Sequence, residues 1–162
     1  MKVFEVMTTD VGICRPEDNL TKAAEIMWQK DCGVVPVVDE ENRVVGLITD
    51  RDICIAVASR RQTTEQIKAR EMFLGEPFVC APEDNLKDVL RRMRKRKVRR
   101  LPVTGENKEL IGIVSLSDIL LKGADKKSIR KLLLSTLESI AKPAPIVLSE
   151  ENEIVEPEAP AD

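Results

Sequence analysis

Apolar residues recur with a helical period at two places in the chain. Both stripes follow the i, i+3, i+4, i+7 spacing that places side chains on one face of a helix. Each stripe is preceded by the same four residues, PEDN, whose Asp or Asn can cap a helix. The pattern therefore predicts two amphipathic helices with equivalent beginnings. Their apolar positions are Leu20, Ala23, Ala24 and Met27 in the first helix, and Leu86, Val89, Leu90 and Met93 in the second.

Two short runs of β-branched and aliphatic residues follow each helix, with a polar turn between them. Such pairs predict β-hairpins. Carboxylates then favour the start of a second helix, and a short leading strand is expected before each first helix. The predicted strands are 34–38 and 44–49 in the first half and 101–103 and 110–115 in the second, the second helices begin at 50–52 and 117–118, and the leading strands lie near 11–14 and 77–80.

The two halves are copies of one unit. A displacement of 66 residues relates Pro16 to Pro82 and Asp52 to Asp118, and it holds between them without insertion or deletion. A unit of about 60 residues buries too little apolar surface to be stable alone. We therefore expect an α+β fold in which units 1–66 and 67–123 pack face to face as a pseudo-twofold pair, with a cleft between their sheets.

The C-terminal part of the chain lies outside the repeat. Residues 124–142 predict one more amphipathic helix, which would cover the module's own core or form a dimer contact. Residues 143–162 carry six acidic groups and no Lys or Arg, and we expect a disordered tail. The body has a net charge of +4 and the tail −6. The helical stripe consists of Ile129, Leu132, Leu133, Leu137 and Ile140.

Composition removes several classes of function. The chain has 162 residues, enough for one ordinary core, and its apolar runs are far shorter than the roughly 20 residues of a membrane span. The segment 1–10 lacks a signal-peptide core, so we expect a cytoplasmic protein without membrane contact. The absence of His and Tyr excludes imidazole catalysis, His-containing metal sites and phenol acids. The four Cys residues form no CxxC pair and are expected to be buried, reduced thiols.

Each unit carries a pair of short motifs at equivalent repeat positions. They are GVVPVVD at 33–39 with GLITDRD at 46–52, and VRRLPV at 98–103 with GIVSLSD at 112–118. These motifs resemble tandem CBS domains, the adenine-nucleotide-sensing modules found alone or attached to enzymes and channels. The resemblance covers about residues 1–123. It implies two β-α-β-β-α units that bind ligand in the cleft between them, and modules of this kind commonly pair into dimeric discs.

The pattern Gly-x-x-Thr/Ser-x-x-Asp can bring a hydroxyl and a carboxylate together. Thr49 and Ser115 would end a strand, while Asp52 and Asp118 would lie in the first turn of the next helix. A carboxylate that accepts two hydrogen bonds suits the cis-diol of ribose, and the resemblance implies that use. The alternative is that these residues only cap helices and end strands.

The resemblance also implies an adenine slot and a phosphate clamp. Basic residues precede the second motif proline at Arg99 and Arg100, whereas the first unit has Arg51 inside its motif. We therefore expect the Ser115 and Asp118 site to bind a charged nucleotide more tightly than the other. For the valines of the slot, plain hydrophobic core is the alternative. The slot would comprise Val34, Val35, Pro36, Leu101 and Pro102, with the backbone of Gly12, Ile13, Phe78 and Val79 as the opposite wall.

Together these features predict a regulatory module and not an enzyme. The ligand would be AMP, ADP or ATP, and no cofactor would be required. We expect the protein to be a homodimer that transmits ligand binding to an unknown effector protein. The residues leave S-adenosylmethionine, NAD-type and cyclic dinucleotide ligands open. The alternative is an adaptor or nucleic-acid-binding protein that uses the basic run 91–100, with vestigial nucleotide sites. Docking of the acidic tail onto that run is a further hypothesis.

Overall fold

Each half of the chain folds into helix, strand, strand and helix at positions related by the repeat. The computed structural model describes residues 1–73 and 75–142. The predicted α+β class and the predicted amphipathic helices are confirmed. The stripes of the two first helices lie against the cores, whereas Leu137 in the stripe of the C-terminal helix is 40% exposed. The elements are α1 (Leu20–Gln29), β1 (Val34–Val38), β2 (Val44–Thr49), α2 (Asp50–Arg60), α3 (Leu86–Arg96), β3 (Arg100–Thr104), β4 (Leu110–Ser115), α4 (Leu116–Gly123) and α5 (Lys127–Ala141).

Asparagine, and not aspartate, caps the first helix of each unit. The side-chain oxygens of Asn19 and Asn85 accept hydrogen bonds from first-turn N–H groups, at 3.1 and 3.0 Å. Asp18 and Asp84 instead accept from N–H groups three residues earlier and close the preceding turn. The repeated PEDN sequence therefore supplies a turn and a cap with separate residues.

The strands form two antiparallel hairpins, β1 with β2 and β3 with β4. The predicted leading strand is reduced in each unit to one residue. Cys14 makes a parallel bridge to Val37, and Cys80 makes the equivalent bridge to Val103. The Cys14 N–H donates to the carbonyl of Pro36 at 3.0 Å, a backbone contact that does not extend into a ladder.

The two opening segments, residues 1–8 and 67–73, each pack on the other unit. Val3 N–H donates to the carbonyl of Asp84 at 3.1 Å, and at the equivalent position Ala69 N–H donates to the carbonyl of Asp18 at 2.8 Å. Val3 lies in the core of the second unit and Ala69 in the core of the first. Each core is therefore completed by a segment of the other repeat. The boundary at residue 66 divides the sequence repeats, and its role as a domain boundary stays a prediction.

The hairpin turns join the units on the pseudo-twofold axis. Arg43 and Glu109, which occupy equivalent repeat positions, face each other in an antiparallel bridge. On either side, the Val44 N–H donates to the carbonyl of Lys108 at 3.1 Å, and a symmetric bond runs from Leu110 N–H to the carbonyl of Asn42 at 2.9 Å. This contact and the exchanged opening segments confirm the predicted packing of the two units.

Helix α5 covers the second unit, where it packs on α3 and α4. Ile129 and Leu133 are buried, as predicted, and the Thr136 hydroxyl donates to the carbonyl of Leu90 at 3.4 Å. The first unit has no such cover among the described residues, and Trp28 on α1 is 89% exposed. The dimer contact stays a prediction, and the predicted disorder of 143–162 concerns residues outside those described.

The cysteines divide by position. Cys14 and Cys80 are buried, as predicted, but the prediction is wrong for Cys54, which is exposed, and for Cys32, which is half-buried. Along the described ranges, no helix is both long and apolar enough to cross a membrane.

Candidate functional site

A cavity of about 610 Å³ opens where the two units meet, and we call it cleft A. It brings together five of the residues predicted from sequence, two from the first unit and three from the second. Thr8, Lys30, Cys32 and Gly33 also line it, although the sequence did not identify them. The five predicted residues are Gly12, Val34, Arg100, Ser115 and Asp118.

Asp118 uses its two carboxylate oxygens differently. Its Oδ2 accepts from the backbone N–H of Ser115 at 2.8 Å and from the Ser115 hydroxyl, while the Ser115 Oγ accepts from the Asp118 N–H at 3.1 Å. This reciprocal capping box fixes the start of α4. The Oδ1 accepts from the Thr8 hydroxyl at 3.3 Å, on the side of cleft A. Helix capping therefore accounts for Oδ2 alone, and Oδ1 can also accept a hydrogen bond from a ligand hydroxyl.

Arg100 carries positive charge into cleft A from the second unit. Its Nη1 donates to the carbonyl of Gly33 in the first unit at 3.2 Å. A Cβ at Gly33 would lie 3.4 Å from the Arg100 Nη2 and 2.8 Å from the Asp50 Oδ2, so glycine makes room for both side chains. The guanidinium is thus held at the seam between the units, where planar N–H donors suit a phosphate.

The opposite wall of cleft A includes Gly12. A Cβ at this position would lie 2.3 Å from the Cγ2 of Ile26 on α1, so a larger residue fits only if the Ile26 side chain moves. Val34 supplies an apolar surface and is 7% exposed. A backbone wall and an aliphatic side chain are the surfaces expected of a slot for a flat, partly apolar ring.

The equivalent place in the first motif, which we call cleft B, has the same cap but different surroundings. Thr49 N–H donates to the Asp52 Oδ2 at 2.9 Å, and the Thr49 hydroxyl donates to it at 2.7 Å. Phe78 stands at the repeat position of Gly12, and the Arg96 guanidinium carbon lies 4.2 Å from its ring centroid. Phe78, Val79 and Leu101 share a cavity of about 220 Å³ with Arg92, Lys95 and Arg96, and Thr49 and Asp52 do not line it.

Several predicted site residues lie elsewhere. Arg51 is exposed at the start of α2, and Thr49 and Asp52 do not line cleft A. Arg99 is exposed and lines a third cavity, of about 570 Å³, together with Arg100, Ser115 and the end of α5. The core alternative holds for Val35, which is fully buried in the first core. Ile13, Pro36 and Pro102 also do not line cleft A, and both prolines are buried in strands.

A comparison with protein-family models identifies the two units. The model described as "CBS domain" matches residues 3–59 and 69–125. The chain belongs to the CBS domain family. Cleft A therefore lies between two CBS domains. Both matched ranges begin inside the opening segments, which pack on the other domain.

Relatives of known sequence contain the same CBS pair in different settings. The uncharacterized protein YlbB of Bacillus subtilis is 35% identical over 119 residues, which cover 73% of this chain and 79% of the relative. The inosine-5'-monophosphate dehydrogenase of Methanocaldococcus jannaschii is 33% identical, but the match covers 74% of this chain and only 23% of the enzyme. The match also covers 61% of the uncharacterized protein MK0525 of Methanopyrus kandleri. The chain thus spans only part of several relatives.

Solved CBS structures share the fold, and two were determined with adenosine compounds. The CBS pair of MJ0100 in complex with 5'-methylthioadenosine and S-adenosyl-L-methionine has a TM-score of 0.66 and 26% identity, over 78% of this chain and 98% of that one. CBSX2 in complex with AMP has a TM-score of 0.68 and 25% identity, with the same coverage of both chains. Hypoxic Response Protein I, solved with two coordinated zinc ions, has a TM-score of 0.68 and 29% identity, over 75% and 98%.

Proposed function

We propose that this CBS pair is a regulatory module that binds an adenosine-containing nucleotide, AMP, ADP or ATP, in cleft A. The observation that carries the proposal is the convergence of Asp118, Arg100 and the backbone of Gly12 on one cavity of about 610 Å³. Each supplies what one part of a nucleotide needs. The adenosine compounds bound by MJ0100 and CBSX2 support the ligand class.

Each part of the nucleotide has a matching group in cleft A. The Asp118 Oδ1, beside the Thr8 hydroxyl, accepts a hydrogen bond from a ribose hydroxyl. Arg100 pairs with a phosphate, which favours phosphorylated ligands over neutral nucleosides. The adenine lies between Val34 and the open backbone at Gly12. Cleft B binds more weakly, because Phe78 and Arg96 stand where cleft A has Gly12 and Lys30.

The module acts by ligand binding and without catalysis. A ligand in cleft A contacts both CBS domains, so it stabilises the relative orientation in which Arg100 and Gly33 are close. The module acts as a homodimer, and an effector protein responds to the change in the relative orientation of the two domains. Leucines exposed on α4 and α5, such as Leu121 at 82% and Leu134 at 56%, are candidates for that dimer contact.

The decisive experiment is calorimetric titration with AMP, ADP, ATP and S-adenosylmethionine. We expect Asp118→Ala to weaken the binding of the preferred nucleotide about 10- to 150-fold, since hydrogen bonds to a charged group contribute about 1.5–3 kcal/mol. Asp52→Ala is the matched control, because it removes the same capping box from α2 without touching cleft A. An affinity loss from Asp52→Ala equal to or larger than that from Asp118→Ala would contradict the assignment to cleft A.

A short RNA in the same panel tests the alternative function. The basic run is partly paired with acidic residues that precede it, since Arg91 pairs with Asp88 at 2.5 Å and Arg92 with Asp84. Phe78 offers one half-exposed ring next to Arg96. RNA binding that is lost in an Arg91→Gln/Arg92→Gln/Arg94→Gln variant, together with no heat from any mononucleotide, would favour the nucleic-acid function and reject the nucleotide site.

A further inference from the structure

The described chain ends beside an unpaired basic surface at the edge of cleft A. Lys97 Nζ donates to the carbonyl of Lys142 at 3.3 Å, so the end of α5 lies against the end of α3. Arg99 and Arg100 line the third cavity together with Ile140 and the adjoining Ala141. We call Lys97, Arg99 and Arg100 the basic rim.

The cations of the basic rim have no carboxylate partner within residues 1–73 and 75–142. Lys97 and Arg100 donate to backbone carbonyls, and Arg99 is exposed. Glu138 also lines the third cavity but forms no ion pair with the rim. By contrast, Arg92 on α3 is paired with Asp84. Asp50 lies near Arg100 on the side of the first unit, but within the described residues no carboxylate pairs directly with a cation of the rim, so the side that faces the end of α5 is open to an acidic partner.

The chain beyond Lys142 has the complementary charge. It contains Glu150, Glu151, Glu153, Glu156, Glu158 and Asp162, and it has no Lys or Arg. Glu150 follows Lys142 by eight residues, which span up to about 26–29 Å when extended, so the acidic cluster can reach the rim. A short tether also gives an attached partner an effective concentration in the millimolar range, which favours this segment over a free polyanion such as RNA.

We propose that the acidic segment 150–158 binds the basic rim of its own chain and competes there with the phosphates of a ligand in cleft A. Arg100 links the two events, because it lines both cleft A and the third cavity. The competition rests on the proposed function, whereas the docking of the segment does not. Because salt screens exposed charge pairs, we expect the docking and the competition at low ionic strength.

Backbone amide NMR of the full chain tests the docking without any nucleotide. The comparison is between the natural protein and a variant with the six tail acids changed to Gln or Asn. At ~20 mM salt we expect chemical-shift differences at residues 97–100 and 137–142, and we expect them to disappear at ~0.5 M salt. Arg99→Gln/Arg100→Gln should remove these differences. Arg91→Gln/Arg94→Gln, the control that removes equal charge from the exposed face of α3, should preserve them.

Titration with ATP then tests the competition. We expect the variant with the neutralised tail to bind ATP several-fold more tightly than the natural protein at low salt. At high salt we expect the two proteins to bind ATP equally. The absence of shift differences at low salt overturns the docking, and a short RNA that shifts the rim residues in that case identifies a nucleic acid as the partner. Shift differences with unchanged ATP affinity overturn the competition alone. If ATP binds neither protein, the proposed function fails, while the shifts still decide the docking.

Discussion

Clefts A and B carry the same motif but are built differently. Ser115 with Asp118, and Thr49 with Asp52, form nearly identical capping boxes at equivalent repeat positions. What separates the clefts is the wall supplied from elsewhere in the chain, Gly12 in one and Phe78 in the other. The comparison teaches that the motif fixes a helix start, whereas residues outside the motif decide whether space remains for a ligand.

The strongest way to break the comparison is to exchange the two walls. We expect Gly12→Phe to weaken AMP binding at least about tenfold, because a Cβ at residue 12 would lie 2.3 Å from the Ile26 Cγ2 and the ring would displace this wall of cleft A, overpacking that costs about 1–3 kcal/mol. The reverse change, Phe78→Gly, should leave the binding of AMP to cleft A within about twofold, since cleft A does not include Phe78. Calorimetric titration of both variants measures the difference.

The exchange needs a control for folding, because an overpacked Gly12→Phe chain can unfold. Circular dichroism establishes that each variant keeps its helices, and Gly12→Ala provides a milder step of the same kind. Full AMP affinity in a folded Gly12→Phe protein would show that the wall at residue 12 does not form the ligand slot.

Neighbouring arginines sharpen the comparison with a smaller effect. We expect Arg100→Gln to weaken ATP binding about tenfold and adenosine binding hardly at all, since a charged hydrogen bond to phosphate is lost. Arg99→Gln removes the same charge one residue earlier and should cost less than about threefold, because Arg99 lines the third cavity and not cleft A. Equal losses from the two variants, measured by ATP titration, would mean that net charge and not geometry attracts the phosphates.

Sequence patterns predicted most of the fold because its elements are periodic. The bounds of β1, β2 and β4 and both amphipathic stripes follow from local residue order. The site was harder to predict. Successive strand residues point to opposite faces, so Val34 lines cleft A while Val35 lies in the core. Thr8 could not be found at all, since only the packing of residues 1–8 on the second unit places it beside Asp118.

The smallest expected effect concerns the thiols. Cys32 lines cleft A, and its repeat counterpart is Val98. We expect saturating AMP to slow the alkylation of Cys32 by iodoacetamide a few-fold and to leave exposed Cys54 unchanged as an internal control. Burial raises the pKa of Cys14 to about 11 and that of Cys80 to about 12, so both should react last, because the thiolate is the nucleophile.

Peptide mass spectrometry after timed alkylation at ~pH 8 separates the four cysteines. Equal slowing of Cys32 and Cys54 by AMP would point to a change in the whole molecule. No slowing at either residue would place the ligand away from Cys32.

The exchanged opening segments have a consequence for the history and assembly of this fold. A chain made of a single repeat would present an empty place in its core and carry, at its own N-terminus, the segment that fills the same place in a sister molecule. Two such chains would complete each other as a closed, intertwined homodimer. Duplication and fusion of such a chain would make the exchange intramolecular, and the two halves of the fused pair could then differ, as they do here with glycine at residue 12 and phenylalanine at residue 78.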